Sequence, residues 1–74
     1  MKNIHTIHLE VWGHIYSILE EAITFKNKMN VTTKFKFNGV EVILCKSGYH
    51  DTVYMDDYIE TICVSIGKLN KVYL

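Results

Sequence analysis

The chain has no proline and no arginine, a single alanine, and only two cysteines among its 74 residues. Without Arg there is no rigid guanidinium fork for bidentate recognition of guanine, phosphate or carboxylate, so every permanent positive side chain is a lysine. Cys45 and Cys63 allow one disulfide, too few for the stapled scaffold of a small secreted domain, and they read as reduced core thiols. Residues 1–5 carry no apolar run of leader length, and no stretch approaches the ~18 apolar residues of a membrane span. A cytoplasmic protein without membrane contact is the expectation. Repeats, Gly/Ser linkers and low-complexity tracts are lacking too, which leaves one domain over residues 1–74. Net charge is also lacking, because eight lysines meet eight acids. That balance speaks against a dedicated polyanion binder and against a charged disordered tail.

What is present is apolar surface, 49% of the residues. So small a chain needs such a core, a metal or a partner to fold. Ile, Lys, Asn, Tyr, Phe and Met dominate the composition, the bias of an AT-rich genome such as that of a low-GC bacterium or one of its phages.

The spacing of Ile7, Val11, Ile15, Ile18, Ala22, Phe25 and Met29 predicts a long amphipathic helix over residues 8–28. A second row, Trp12, Tyr16, Leu19 and Ile23, widens its apolar face. Ile7, Leu9 and Val11 also alternate with His8 and Glu10, so an amino-terminal strand ending at Trp12, with Gly13 as junction, is the competing reading. Asn38-Gly39 supplies the positive φ values of a type I′ hairpin turn. It pairs Phe37 with Val40, Phe35 with Val42 and Thr33 with Leu44 within a hairpin over 31–46, and puts Val31, Phe35, Phe37, Val40, Val42 and Leu44 on one face. Residues 52–55 read as a loop or a third strand, with β-branched and aromatic content favouring strand. Asp56 or Asp57 is a natural N-cap, with Glu60 closing a capping box after Asp57. Ile59, Ile62, Cys63, Ile66 and Leu69 continue as a helix with Lys68 and Lys71 near its end, and Gly67 is placed to stop its regular part. The expected fold is α+β in the order α-β-β-(β)-α: a small single-layer antiparallel sheet against a long first helix and a carboxy-terminal helix.

Several chemistries are weighed and set aside. His5 and His8 sit three apart, and His14, His50, Cys45 or Cys63 would have to complete a metal set, but two close ligand pairs are missing. Cys45 with His50, assisted by Lys46 and Asp51, has the residue types of a thiol nucleophile but no distinguishing spacing. There is no Gly-rich phosphate loop, serine elbow or paired-carboxylate motif. No enzyme, metal or cofactor is expected. The element order is that of double-stranded RNA-binding domains, yet a basic cluster would be needed where the second helix opens on Asp56, Asp57 and Glu60, so nucleic acid is not the expected partner.

The charge layout is more telling. Lys26, Lys28, Lys34, Lys36 and Lys46 outnumber Glu41 in one block, and Asp51, Asp56, Asp57 and Glu60 form the next. Tyr49, His50, Asp51, Tyr54, Asp56, Asp57 and Tyr58 together make an aromatic and acidic candidate surface for a protein partner. Val11, Ile15, Ile18, Ala22 and Phe25 make a candidate self-association seam, so a homo-oligomer is expected. The function expected is a small non-enzymatic binding protein that acts through protein–protein contact, such as a phage or mobile-element inhibitor of a host defence protein. The alternatives are an oligomer that holds a small ligand or nucleotide without turnover, using Lys34 and Lys36 beside aromatic rings, and a small DNA- or RNA-binding regulator.

Overall fold

The computed structural model describes residues 6–74. Among them, β1 (Thr6–His8) leads through a loop to α1 (Ile15–Met29), and β2 (Thr32–Phe37) and β3 (Val40–Leu44) form the hairpin. A 3₁₀ turn over Thr52–Tyr54 runs into α2 (Met55–Ser65), and β4 (Lys71–Tyr73) follows. The architecture is α+β in the order β-α-β-β-α-β, with one mixed four-stranded sheet in spatial order β1-β2-β3-β4.

The hairpin has the register that Asn38-Gly39 dictates, with Phe37 opposite Val40, Phe35 opposite Val42 and Thr33 opposite Leu44. Asn38 at φ 49° and Gly39 at φ 84° adopt the left-handed geometry of the turn. Phe35, Val40, Val42 and Leu44 are wholly buried on one face of the sheet. Both helices cover that face: Ile18, Leu19, Ala22 and Ile23 of α1 and Met55 and Ile62 of α2 join the same cluster, together with Val72 of β4.

Four details correct the sequence reading. The helix does not run from residue 8, because residues 6–8 pair in parallel with Thr32–Lys34 and Gly13, at φ 122°, breaks the chain direction before Ile15. The strand reading of this segment is the one that holds, though the strand ends at His8 rather than Trp12. The sheet is mixed rather than antiparallel, because β1 and β4 both join in parallel. Residues 52–54 are not a strand: the Asp51 carboxylate accepts a hydrogen bond from the Val53 N–H and nucleates the 3₁₀ turn instead. Finally, α2 stops at Ser65, Gly67 turns the chain at φ 80°, and Lys71 belongs to β4 rather than to a last helical turn. Asp56 and Asp57 accordingly lie inside the first turn of α2 rather than capping it.

With β1 and β2 running one way and β3 and β4 the other, two helices on one face give the two crossovers opposite hands. One of them is therefore of the uncommon left-handed kind.

The strand directions fix what lies at each end of the molecule, whose extents are 38 × 25 × 21 Å. The loop before α1, the Asn38–Gly39 turn and the Gly67–Asn70 loop gather at one end. The end of α1, the 45–54 loop, the start of α2 and Leu74 gather at the other.

Candidate functional site

The Gly48–Tyr58 segment is the most elaborately built part of the surface. Beneath it, Lys26 continues the buried stripe of α1 and is only 5% exposed, and its ammonium donates to the Gly48 carbonyl. The side-chain amide of Asn27 donates to the His50 carbonyl at 3.5 Å. The His50 ring, 5% exposed, lies against Tyr58 edge-on with centroids 5.9 Å apart, and its Nε2 is 2.9 Å from the Leu74 carbonyl oxygen. Nε2 must therefore donate, which leaves Nδ1 as a bare acceptor, and that atom is buried with no partner. The ring also explains Gly48: a Cβ there would sit 2.9 Å from His50 Cε1 and 3.2 Å from the Cys45 carbonyl.

Above this floor, Tyr58 O–H donates to the Tyr49 carbonyl at 3.2 Å, and Tyr49 O–H donates to Asp51 at 2.7 Å. The other Asp51 oxygen takes the Val53 N–H at 2.9 Å. Tyr49 and Tyr54 meet edge to face at 6.5 Å. The Val53 N–H and the Tyr49 hydroxyl hold the Asp51 carboxyl below its usual range, and the same carboxylate raises the Tyr49 phenol above its own. The result is a braced surface on which Val53 is 76%, Tyr49 74% and Tyr54 49% exposed, with Asp56 and Asp57 exposed beside them.

The structure thus divides the candidate partner surface. Tyr49, Asp51, Tyr54, Asp56 and Asp57 share the outer face, Tyr58 is half buried, and His50 is a buried brace rather than a contact residue. Val53 belongs with the outer group, and sequence reasoning missed it because an exposed valine in a β-branched run reads as strand. The candidate self-association seam is mostly turned inward. Ile18 and Ala22 are spent inside the protein's own core, and Val11, Ile15 and Phe25 are partly buried, so α1 offers no continuous free seam.

The thiol-nucleophile set is not assembled. His50 Nε2 is engaged by Leu74, and the Asp51 carboxylate turns to Tyr49 and Val53 rather than to the imidazole. Of the histidines weighed for a metal, His5 lies outside the described residues, and His8 is 3.5 Å from Glu10. Among the described residues no three His, Cys, Asp or Glu side chains converge, and no helix is long and apolar enough to cross a membrane.

The two lysines expected to hold a ligand lie two apart in β2, on the sheet face opposite Phe35 and Phe37. Lys34 lies on the uncovered sheet face, 3.0 Å from Glu41, whose second oxygen is 3.9 Å from Lys71. The Lys34 hydrogen bond keeps the Glu41 carboxyl below its ordinary range. Lys36 is exposed and borders a cleft of about 210 Å³ with Val11, Trp12, Gly13, Ile18, Phe37 and Asn38. Trp12 is 87% exposed at its rim. A second, shallower depression of about 530 Å³ lies across the Asn38–Gly39 turn, against Gly67, Lys68, Leu69 and Asn70.

Burial, and then the Lys26 charge, push His50 below the ordinary histidine range, against the opposing pull of the Leu74 carbonyl. The folded state therefore binds this proton less readily than the unfolded chain does. The stabilising contribution is present above the ordinary histidine value of about 6.5 and is lost as the pH falls below it. The urea midpoint is expected to decline between about pH 7 and pH 5, above the carboxylate range, and to do so less in a His50→Gln variant. Parallel profiles for the two proteins would show that the decline has another origin.

Compared with protein-family models, with curated proteins and with solved structures, the chain finds no significant match in any of the three.

Proposed function

We propose that this chain is a non-enzymatic binding protein that docks its Tyr49–Asp57 surface into a basic, apolar-floored groove on another protein. The supporting observation is the exposure of Tyr49, Val53 and Tyr54 on a loop that is nevertheless hydrogen-bonded from below and within. Exposed apolar side chains on a braced support lose little freedom on binding, and aromatic residues with polar tips supply much of the energy of protein interfaces. Asp56 and Asp57 add charge that selects a basic partner and speeds encounter. A groove built to hold nucleic acid has that chemistry, which fits an inhibitor carried by a phage or mobile element and aimed at a host defence protein.

The test is affinity capture of host proteins on immobilised chain, followed by measurement of binding to the purified partner. Tyr54→Ala with Asp57→Ala is expected to weaken that binding at least ~30-fold, about 2 kcal/mol, while Lys46→Ala leaves it within threefold. A partner that binds both variants equally would place the docking surface elsewhere.

A second reading, small-ligand binding without turnover, is favoured by the cleft that Val11, Trp12, Ile18 and Phe37 line beside Lys36. Trp12 is the single tryptophan, so its fluorescence reports directly on that cleft. Unchanged emission on titration with nucleotides and aromatic carboxylates would reject those ligands.

A further inference from the structure

The two ends of the molecule are unlike in chemistry. At one, Tyr49, Val53 and Tyr54 project from the 49–54 loop, and Asp56 and Asp57 lie beside them on the opening turn of α2. At the other, two depressions flank the Asn38–Gly39 turn, bordered by the exposed side chains of Trp12 and Leu69 and by Lys36 and Lys68. One end is a set of apolar projections with acids, the other a pair of hollows with cations.

We infer that a second copy of this chain occupies the hollowed end, head to tail, with Val53 and Tyr54 of one molecule against the Asn38–Gly39 turn of the next and Asp56 and Asp57 facing Lys36 and Lys68. This rests on the reading of the Tyr49–Asp57 surface as a docking face, and names one occupant for its complement.

The remaining charges set the strength of the contact. Lys28 and Lys46 are exposed at the acidic end, near the close of α1 and just after β3; at the basic end Glu10 is 3.5 Å from His8, and Glu41, opposite Lys36, is held by Lys34 and Lys71. A contact confined to one end of so small a molecule falls at the weak end of specific interfaces, below about 600 Å² per molecule. The association is therefore concentration-dependent and salt-sensitive. A head-to-tail contact uses different surfaces on its two sides, so it extends into chains or closes into rings rather than stopping at a symmetric dimer.

That asymmetry gives the test, by sedimentation velocity on the full chain. The wild type at ~1 mM and low salt is expected to exceed the dimer mass, and to return towards the 8.6 kDa monomer as salt is raised. Lys36→Gln with Lys68→Gln damages only the basic end, and Asp56→Asn with Asp57→Asn only the acidic end. Each variant, checked for native circular dichroism, is expected to weaken self-association at least ~10-fold. Mixed in equal amounts they retain one intact interface of wild-type character, and are expected to form a 1:1 dimer that grows no further. Wild-type chain that stays monomeric at low salt overturns the inference, as do variants that still assemble alone or a mixture that gains nothing. Because no outside protein is present, these outcomes are separate from success or failure in capturing a host partner.

Discussion

Replacing Phe35 by alanine is expected to leave most of the chain unfolded in water at room temperature. Phe35 is the largest of the wholly buried side chains, at the centre of β2 and opposite Val42, where α1 and α2 both pack on the sheet. Removing a buried phenylalanine costs about 3–5 kcal/mol through lost transfer energy and the cavity left behind. A single core in a chain of this length rarely supplies more than about 3–5 kcal/mol of net stability, so the loss is comparable to the whole. Far-ultraviolet circular dichroism and urea titration would measure it. A Phe35→Leu variant, which keeps most of the volume, is expected to remain folded with a lowered midpoint. A Phe35→Ala protein with a native spectrum and a midpoint near the wild type would mean that the core collapses around the gap.

Phe35 could be placed from sequence because local chemistry and long-range packing agree there. Asn38-Gly39 forces a two-residue turn, the turn sets the register, and the register sorts Phe35, Phe37, Val40, Val42 and Leu44 onto one side of the sheet. The outer strands lack such a signal. Thr6–His8 and Lys71–Tyr73 are three residues each, and both join by parallel pairing across a helix, so no adjacent turn announces them. Ile7, Leu9 and Val11 satisfy strand and helix periods together, and only the β2 edge decides between them. The 52–54 segment has strand composition, but the Asp51 cap prevails over it.

The candidate site was legible in part for the same reason. Its aromatic and acidic residues are contiguous in the chain, so Tyr49, Asp51, Tyr54, Asp56 and Asp57 fall together whatever the fold. Whether each of them points outward depends on contacts with α1 and with Leu74, which no local pattern encodes. That is why His50 reads as a surface residue and proves to be a brace.

Lys26 carries the second large effect, and it is the residue whose role a charge pattern hides most completely. The buried stripe of α1 runs Ile18, Leu19, Ala22, Ile23, Lys26, rotated from the seam through Phe25 and Met29 that spacing alone selects. A lysine can end such a stripe because four methylenes cover apolar surface while the ammonium finds an acceptor, here the Gly48 carbonyl. Among the described residues no carboxylate pairs with it. Lys26→Ala removes about three buried methylenes at ~0.8 kcal/mol each and deprives the Gly48 carbonyl of its donor, a further 1–3 kcal/mol or so. Relief from holding an unpaired charge offsets part of that, for a net loss of about 2–4 kcal/mol. Lys26→Met keeps the buried length and gives up only the charge and its hydrogen bond, so its net cost is expected within about 1 kcal/mol. Urea midpoints for the two variants separate the contributions, and amide exchange in residues 48–51 should quicken in both, because both release the Gly48 carbonyl. If Ala costs no more than Met, the lysine stem is not packing against the core. If neither changes exchange in the loop, the Lys26–Gly48 contact does not brace it, and the exposed Tyr49, Val53 and Tyr54 would then stand on a mobile support rather than a rigid one.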